Sequence, residues 1–192
     1  MVLRQVIKAY LGPASDSIGR NLDAIGITPG TLTGLGLGLA LAAGLLFAAE
    51  PSRPYLAAFA ILGSGGMDLL DGSVARAAGQ PNSNSLNDSL ADRLSEIAIY
   101  CGIIYAGYGV SPTIVLLALA FSLLPSYVLA KGMSQGVTIQ GLGVAERAER
   151  MSVLVVFAIA GFVWVAVYAN LILAAVTFLQ RYIHIRRASI LC

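Results

Sequence analysis

Histidine, cysteine and charge are all scarce in this chain, and each shortage closes off a class of chemistry. His184 is the only histidine among 192 residues, so a Ser-His-Asp triad and a histidine-held metal are both poorly supported. The two cysteines are Cys101, inside an apolar run, and Cys192, at the last position. They make no disulfide framework and no thiolate metal site. Charged residues are only 11% of the chain and hydrophobic residues 57%, the composition of a polytopic helical membrane protein rather than a water-soluble domain. The net charge is a small +2 and no basic run exists to follow a phosphate backbone, which argues against nucleic acid as a partner. A cleavable signal is not expected, because Arg4 and Lys8 interrupt the first apolar residues and Pro13 follows soon after.

What is present is a series of apolar runs punctuated by turn residues. Leu3, Val6, Ile7, Tyr10 and Leu11 recur at helical spacing with Arg4 and Lys8 off that face, which predicts an amphipathic helix lying in a membrane interface. Thr28-Pro29-Gly30 then breaks the chain, and residues 31–49 form a first run of spanning length. Glu50 to Pro54 ends it. A second run starts at Tyr55, a third follows the polar stretch 79–85, and Ser111-Pro112 opens a fourth that reaches about Ala130. From Met151 to Leu179 the chain is apolar for 29 residues, with one strongly polar break at Asn170. One helix of that length would measure about 43 Å against about 30 Å of hydrocarbon. Two helices with a turn between Gly161 and Asn170 are therefore expected.

The fold class expected is all-α integral membrane, with six transmembrane helices plus the N-terminal interfacial helix. Residues 1–192 form a single membrane domain, with 1–28 as interfacial helix and entry loop and 31–187 as the six-helix bundle. With six spans, eleven of the twelve basic residues fall on one side and only Arg53 on the other. That places both termini in the cytoplasm by the positive-inside rule.

Into this apolar background the chain sets four carboxylates within 25 residues: Asp68, Asp71, Asp88 and Asp92. A charge at the bilayer centre costs roughly 2.5–3.5 kcal/mol on insertion scales. Four unpaired acids would cost on the order of 10 kcal/mol, the scale of a whole domain's stability. A divalent metal held by oxygen ligands neutralises them most economically. Asp68 and Asp71 share one helical face, Asp88 and Asp92 share another. The short loop between them predicts antiparallel neighbouring helices whose acidic faces meet. All-oxygen ligation suits Mg²⁺ or Mn²⁺ rather than zinc. Gly72 and Ala75 leave a smooth patch beside them, and Arg76 adds a fork suited to phosphate. The acids, the patch and the arginine together describe a site for a metal-bound pyrophosphate.

The order Asp68-x-x-Asp71-Gly72-x-x-Ala75-Arg76, a spacer, then Asn84-x-x-x-Asp88-x-x-x-Asp92 resembles the signature of the CDP-alcohol phosphotransferases. The chain departs from it where Asn84 replaces the usual glycine and where the spacer has seven residues instead of eight. The resemblance implies a six-helix membrane enzyme that joins an alcohol to a phosphoryl group from a CDP-linked donor and releases CMP. It implies that Asp68, Asp71 and Asp88 hold metal, two ions in number, with Asp92 as a further ligand and the general base. Gly72, Ala75 and Arg76 would contact the CDP moiety, and a homodimer is usual in the family.

The acceptor is indicated by a second basic cluster. Arg147 and Arg150 share a helical face, and Lys131 lies on the same predicted side, so together they suit a phosphate carried by the acceptor. The stretch Glu146-Arg147-Ala-Glu149-Arg150 also resembles the phosphatidylinositol-phosphate and archaetidylinositol-phosphate synthase branch. Leu129, Lys131 and Met133 depart from that branch. The expectation is transfer from CDP-diacylglycerol or CDP-archaeol to inositol 1-phosphate, with glycerol 3-phosphate or serine as competing acceptors. A small cation transporter would also explain intramembrane acids, but not the order Asp-Gly-x-x-Ala-Arg. Glu96, one turn beyond Asp92, is expected to support the site. His184, Trp164 and Tyr168 are expected to sit at interfaces without chemical roles.

Overall fold

Three of the seven prolines open helices. In the computed structural model the backbone is described for residues 2–79, 86–137 and 142–190, and side chains for 12–79, 86–137 and 142–188. The described residues form seven helices and no strand: α1 (Val2–Ala24), α2 (Pro29–Ala49), α3 (Pro54–Ala77), α4 (Leu86–Ala106), α5 (Pro112–Ser134), α6 (Arg147–Ile159) and α7 (Val163–Ile190). Pro29, Pro54 and Pro112 each take the first helical position, where the missing N–H would have had no partner. At α2 the Thr28 hydroxyl oxygen also accepts from the Thr31 N–H at 3.3 Å, capping the helix. The helix α1 continues through Pro13, well beyond the amphipathic repeat that predicted it. The side chains of Leu3, Val6, Ile7, Tyr10 and Leu11, together with Asn84 and the rest of the loop around it, lie outside the described residues.

Three of these helices are long and apolar enough to cross a membrane: Pro29–Ala49, Pro112–Ser134 and Val163–Ala188. α2 packs on both α3 and α4, α3 also on α1 and α6, and α5 on α4 and α7. The shared core joins Ala40, Ala43, Phe47, Ala57, Ile99, Ile103, Val115, Leu154 and Val167, all buried. Its many alanines let backbones approach closely, which is how helices gain contact where lipid offers no hydrophobic drive.

The tightest crossing is α2 against α4. A Cβ on Gly102 would clash with the Gly44 carbonyl oxygen, and one on Gly44 would clash with the Ala98 carbonyl oxygen. Both are backbone atoms that cannot step aside. Gly102→Ala is therefore expected to cost about 1–3 kcal/mol by overpacking, read as a lowered thermal midpoint in detergent, while Gly38→Ala, in open space, should leave the midpoint unchanged.

Two expectations are refined. The turn in the long apolar run comes at Ala160–Phe162, with Gly161 at φ +81°, a conformation that glycine adopts without penalty. Asn170 lies inside α7 and is fully buried; its polarity marks the interior rather than a turn. The second concerns α3 and α4, whose acidic faces meet as expected, although the two helices scarcely touch as backbones and both pack on α2. Residues carrying like charges need a gap between their helices, and the acids fill it from both sides.

Candidate active site

The carboxylates meet across that gap. One oxygen each of Asp68 on α3 and Asp88 and Asp92 on α4 lie within 4.8 Å of one another. Asp71, one turn from Asp68, is buried and accepts a hydrogen bond from the Thr33 hydroxyl of α2 at 3.0 Å. All four acids, with Ser64, Ser95 and Arg147, line one cleft of about 20 Å³. Three convergent carboxylate oxygens with no histidine or thiolate suit a hard divalent cation, and the cleft has room for an ion or one water. The residues present therefore fit the metal that the sequence pattern implies.

A larger cavity of about 690 Å³ adjoins this cleft, sharing Thr33, Leu37, Asp71 and Ala91 with it. Its walls come from the end of α1 (Asp23), from the α1–α2 connection (Gly26, Ile27, Thr28), from α2 (Pro29, Gly30, Gly34), from α3 and its C-cap (Ala75, Ala78) and from α4 (Asn87). The volume is in the range of sites for small molecules. Of the three residues expected at a nucleotide, Ala75 lines this cavity and Gly72 lies one residue from Asp71. Arg76 lies on the neighbouring stripe of α3 and turns toward α1, where it donates to Asp16.

On the far side of the acids stands α6. The Arg147 guanidinium pairs with Asp92 at 2.7 Å, and both side chains keep about a quarter to a third of their surface exposed (26% and 30%). Arg150 is different. It is 3% exposed and donates to Glu96 at 3.0 Å, to the Ser122 carbonyl at 3.1 Å and to the Ala145 carbonyl at 3.2 Å. Glu96 is likewise 3% exposed. Asp92 and Glu96 of α4 and Arg147 and Arg150 of α6 thus alternate as a ladder, wet at the Asp92 end and dry at the Glu96 end. Lys131 is exposed at the end of α5 and is not brought into ion-pair contact with this ladder. His184 is exposed on α7.

Three contributors were not singled out from the sequence. Thr33 had a signal, a polar residue one turn after Pro29 in an otherwise apolar helix. Arg181 is one more basic residue of the C-terminal stretch in the sequence, yet it is 5% exposed and donates to the Leu142 carbonyl at 2.7 Å and the Pro125 carbonyl at 2.9 Å. With Thr177, whose hydroxyl contacts the backbone of Ala145, it ties the entry to α6 onto α7. Asp16 had no signal at all, since 60 residues separate it from Arg76.

Comparison with known proteins agrees with this geometry. The sequence pattern of the CDP-alcohol phosphatidyltransferase family matches residues 26–182. The chain is 35% identical over 190 residues to the archaetidylinositol phosphate synthase of Methanothermobacter thermautotrophicus, covering 95% of this chain and 91% of that protein. It is 33% identical over 167 residues to the archaetidylinositol phosphate synthase of Pyrococcus horikoshii, covering 86% and 87%. Among solved structures, the phosphatidylinositol phosphate synthase of Mycobacterium tuberculosis with CDP-DAG bound superposes with a TM-score of 0.78 at 25% identity, covering 89% of this chain and 92% of that one. The same enzyme in complex with manganese and citrate superposes equally well, with a TM-score of 0.78 at 24% identity over 89% and 88%.

Proposed function

The chain belongs to the CDP-alcohol phosphatidyltransferase family, and on that premise we propose that it transfers a phosphatidyl-type group from CDP-diacylglycerol or CDP-archaeol to inositol 1-phosphate, releasing CMP. It is an enzyme of phospholipid synthesis and a multi-pass membrane protein. The cation-transporter alternative falls away with the family.

The observation that carries the acceptor is the Arg147–Asp92 contact at 2.7 Å. A phosphate held by Arg147 brings the hydroxyls of the same small molecule to Asp92. An alcohol with its own phosphate satisfies both groups at once, whereas free inositol or serine leaves the arginine without its anion. Names of the relatives support the same choice. Lys131, on the same side, adds a second, mobile charge for that phosphate. Arg150 was also expected there; its burial against Glu96 gives it the role of holding α6 to α4 so that Arg147 keeps its place.

Asp68, Asp71 and Asp88 would hold the divalent metal, Mg²⁺ or Mn²⁺, with Asp92 as a further ligand, and the cavity that adjoins the cleft at Asp71 leaves room for the second of two ions. When bound, the metal withdraws charge from the pyrophosphate and makes CMP a better leaving group. Thr33 orients Asp71 by its hydrogen bond. Gly72 and Ala75 keep α3 smooth where the CDP group lies in the 690 Å³ cavity. Asp92 accepts the proton of the attacking hydroxyl, which adds to the β-phosphorus as the bond to CMP breaks. In-line displacement needs mainly positioning, and carboxylates on rigid helices supply it. For the membrane we place α2 to α7 as six spans with α1 in the interface, both termini cytoplasmic, and the single domain paired as a homodimer.

The test is CMP release by purified protein with Mg²⁺ and a CDP-lipid, with inositol 1-phosphate, glycerol 3-phosphate, serine and free inositol supplied separately. Release with inositol 1-phosphate alone is expected, and Arg147→Ala should lower its kcat/KM about thirtyfold or more. Release with glycerol 3-phosphate or serine would keep the carboxylate chemistry and overturn the acceptor.

A further inference from the structure

One turn beyond the Glu96–Arg150 pair, the core of the bundle holds a polar side chain from each of three helices. Tyr100 belongs to α4, Ser122 to α5 and Asn170 to α7, and all three are at most 1% exposed. Ser122 and Asn170 both approach the Tyr100 hydroxyl. Yet the two hydroxyls and both amide atoms of Asn170 have no hydrogen-bond partner among the described residues. Other hydroxyls of the chain do find one. Ser73, Ser152 and Thr177 each donate to the carbonyl one turn back, and Tyr108 donates to the Phe47 carbonyl. Ser122 forgoes that bond and faces Tyr100 instead.

A buried hydroxyl or amide left without a partner bears its full desolvation penalty, and lipid offers no substitute. Four such atoms at one spot require a shared ligand. Asn170 fixes its kind. The amide oxygen needs a donor and the amide nitrogen an acceptor, whichever way the group is turned, so the ligand must do both. Charge then excludes an ion. Glu96 and Arg150 both act on the Tyr100 hydroxyl and already pair with each other at 3.0 Å. A cation here would meet Arg150, and an anion would meet Glu96. What remains is a small neutral molecule that both donates and accepts, and water does so.

We propose that Tyr100, Ser122 and Asn170 form a binding site for one internal water molecule, which bridges α4, α5 and α7 in the core of the bundle. The backbones of α4 and α7 scarcely meet, so this bridge ties α7 to the helix that carries Asp88 and Asp92. The site depends on neither the donor nor the acceptor reading given above.

The test is a crystal structure of the full chain, grown from a lipid mesophase, at a resolution that orders internal water. One density peak is expected within hydrogen-bonding distance of Tyr100 Oη, Ser122 Oγ and an Asn170 amide atom. Absence of the peak, or a direct hydrogen bond between Tyr100 and Asn170 in its place, would overturn the proposal. So would an anomalous signal at the peak after bromide replaces chloride, since the ligand would then be a halide. Thermal midpoints in lipid nanodiscs give a second check. Tyr100→Phe, Ser122→Ala and Asn170→Leu are each expected to lower the midpoint by about 3–8 °C. The triple variant should lose clearly less than the sum, because no group is then left without its partner. Losses that simply add would mean that the three side chains share no ligand.

Discussion

Asp92→Asn is expected to yield a folded protein that still binds CDP with Mg²⁺ but releases CMP about a thousandfold more slowly at saturating substrates. Asparagine keeps the size of the side chain and a carbonyl oxygen that can face Arg147, but it cannot accept the hydroxyl proton. General-base contributions typically span about 10²–10⁴ in rate. The loss should fall on kcat, because Arg147 remains to hold the acceptor's phosphate and the other three acids remain in the cleft. The fold should tolerate the change, since the Asp92–Arg147 pair is partly exposed and pairs of that kind contribute little to stability. Single-turnover CMP release, read beside the thermal shift with CDP, checks both halves. Full activity in Asp92→Asn would remove Asp92 as the base and leave it a ligand at most.

The largest effect on stability is expected one turn deeper. Arg150→Met leaves Glu96 buried at 3% exposure with only Arg147, at 3.9 Å, as a charge partner and strips the Ser122 and Ala145 carbonyls of a donor. Removing one member of a buried pair typically costs about 3–5 kcal/mol. For a chain of this size that corresponds to a drop of roughly 10 °C in thermal midpoint. The double variant Glu96→Gln with Arg150→Met should recover most of the loss, because a buried pair replaced as a unit is often close to neutral. A single Arg150→Met variant as stable as its parent would show that the ladder is not what joins α4 to α6.

The contrast between these two positions shows what the sequence could and could not reveal. Arg147 and Arg150 are three residues apart and of the same type, so from spacing alone both were candidates for the acceptor's phosphate. Only the fold separates them, because the packing of α4, α5 and α6 around Arg150 determines which end of the ladder is wet. The acids were legible for the opposite reason. Carboxylates in an apolar chain carry a penalty too large to be incidental, and their local spacing already sets which ones share a face. The prolines and Thr28 likewise announced where helices start. Long-range partners left no such mark: nothing near Asp16 in sequence names Arg76, and nothing near Thr33 names Asp71. The separation of α3 from α4 was hidden too, since a short loop constrains where two helix ends lie but not what stands between the helices beyond them.

The unequal lengths of α6 and α7 have a consequence for the bilayer itself. Thirteen residues of helix rise about 20 Å, and a hydrocarbon layer is about 30 Å thick. On the six-span placement, with the turn at Gly161 near the outer surface, the polar start of α6 lies about 10 Å beneath the level of the inner headgroups. Arg181 and Thr177 of α7 pin that sunken end in place. On that placement, and with the acceptor proposed above, the reaction would take place at the bottom of a dimple: the donor would keep its tails in the leaflet and bend only its head inward, while a water-soluble alcohol phosphate would descend to meet it.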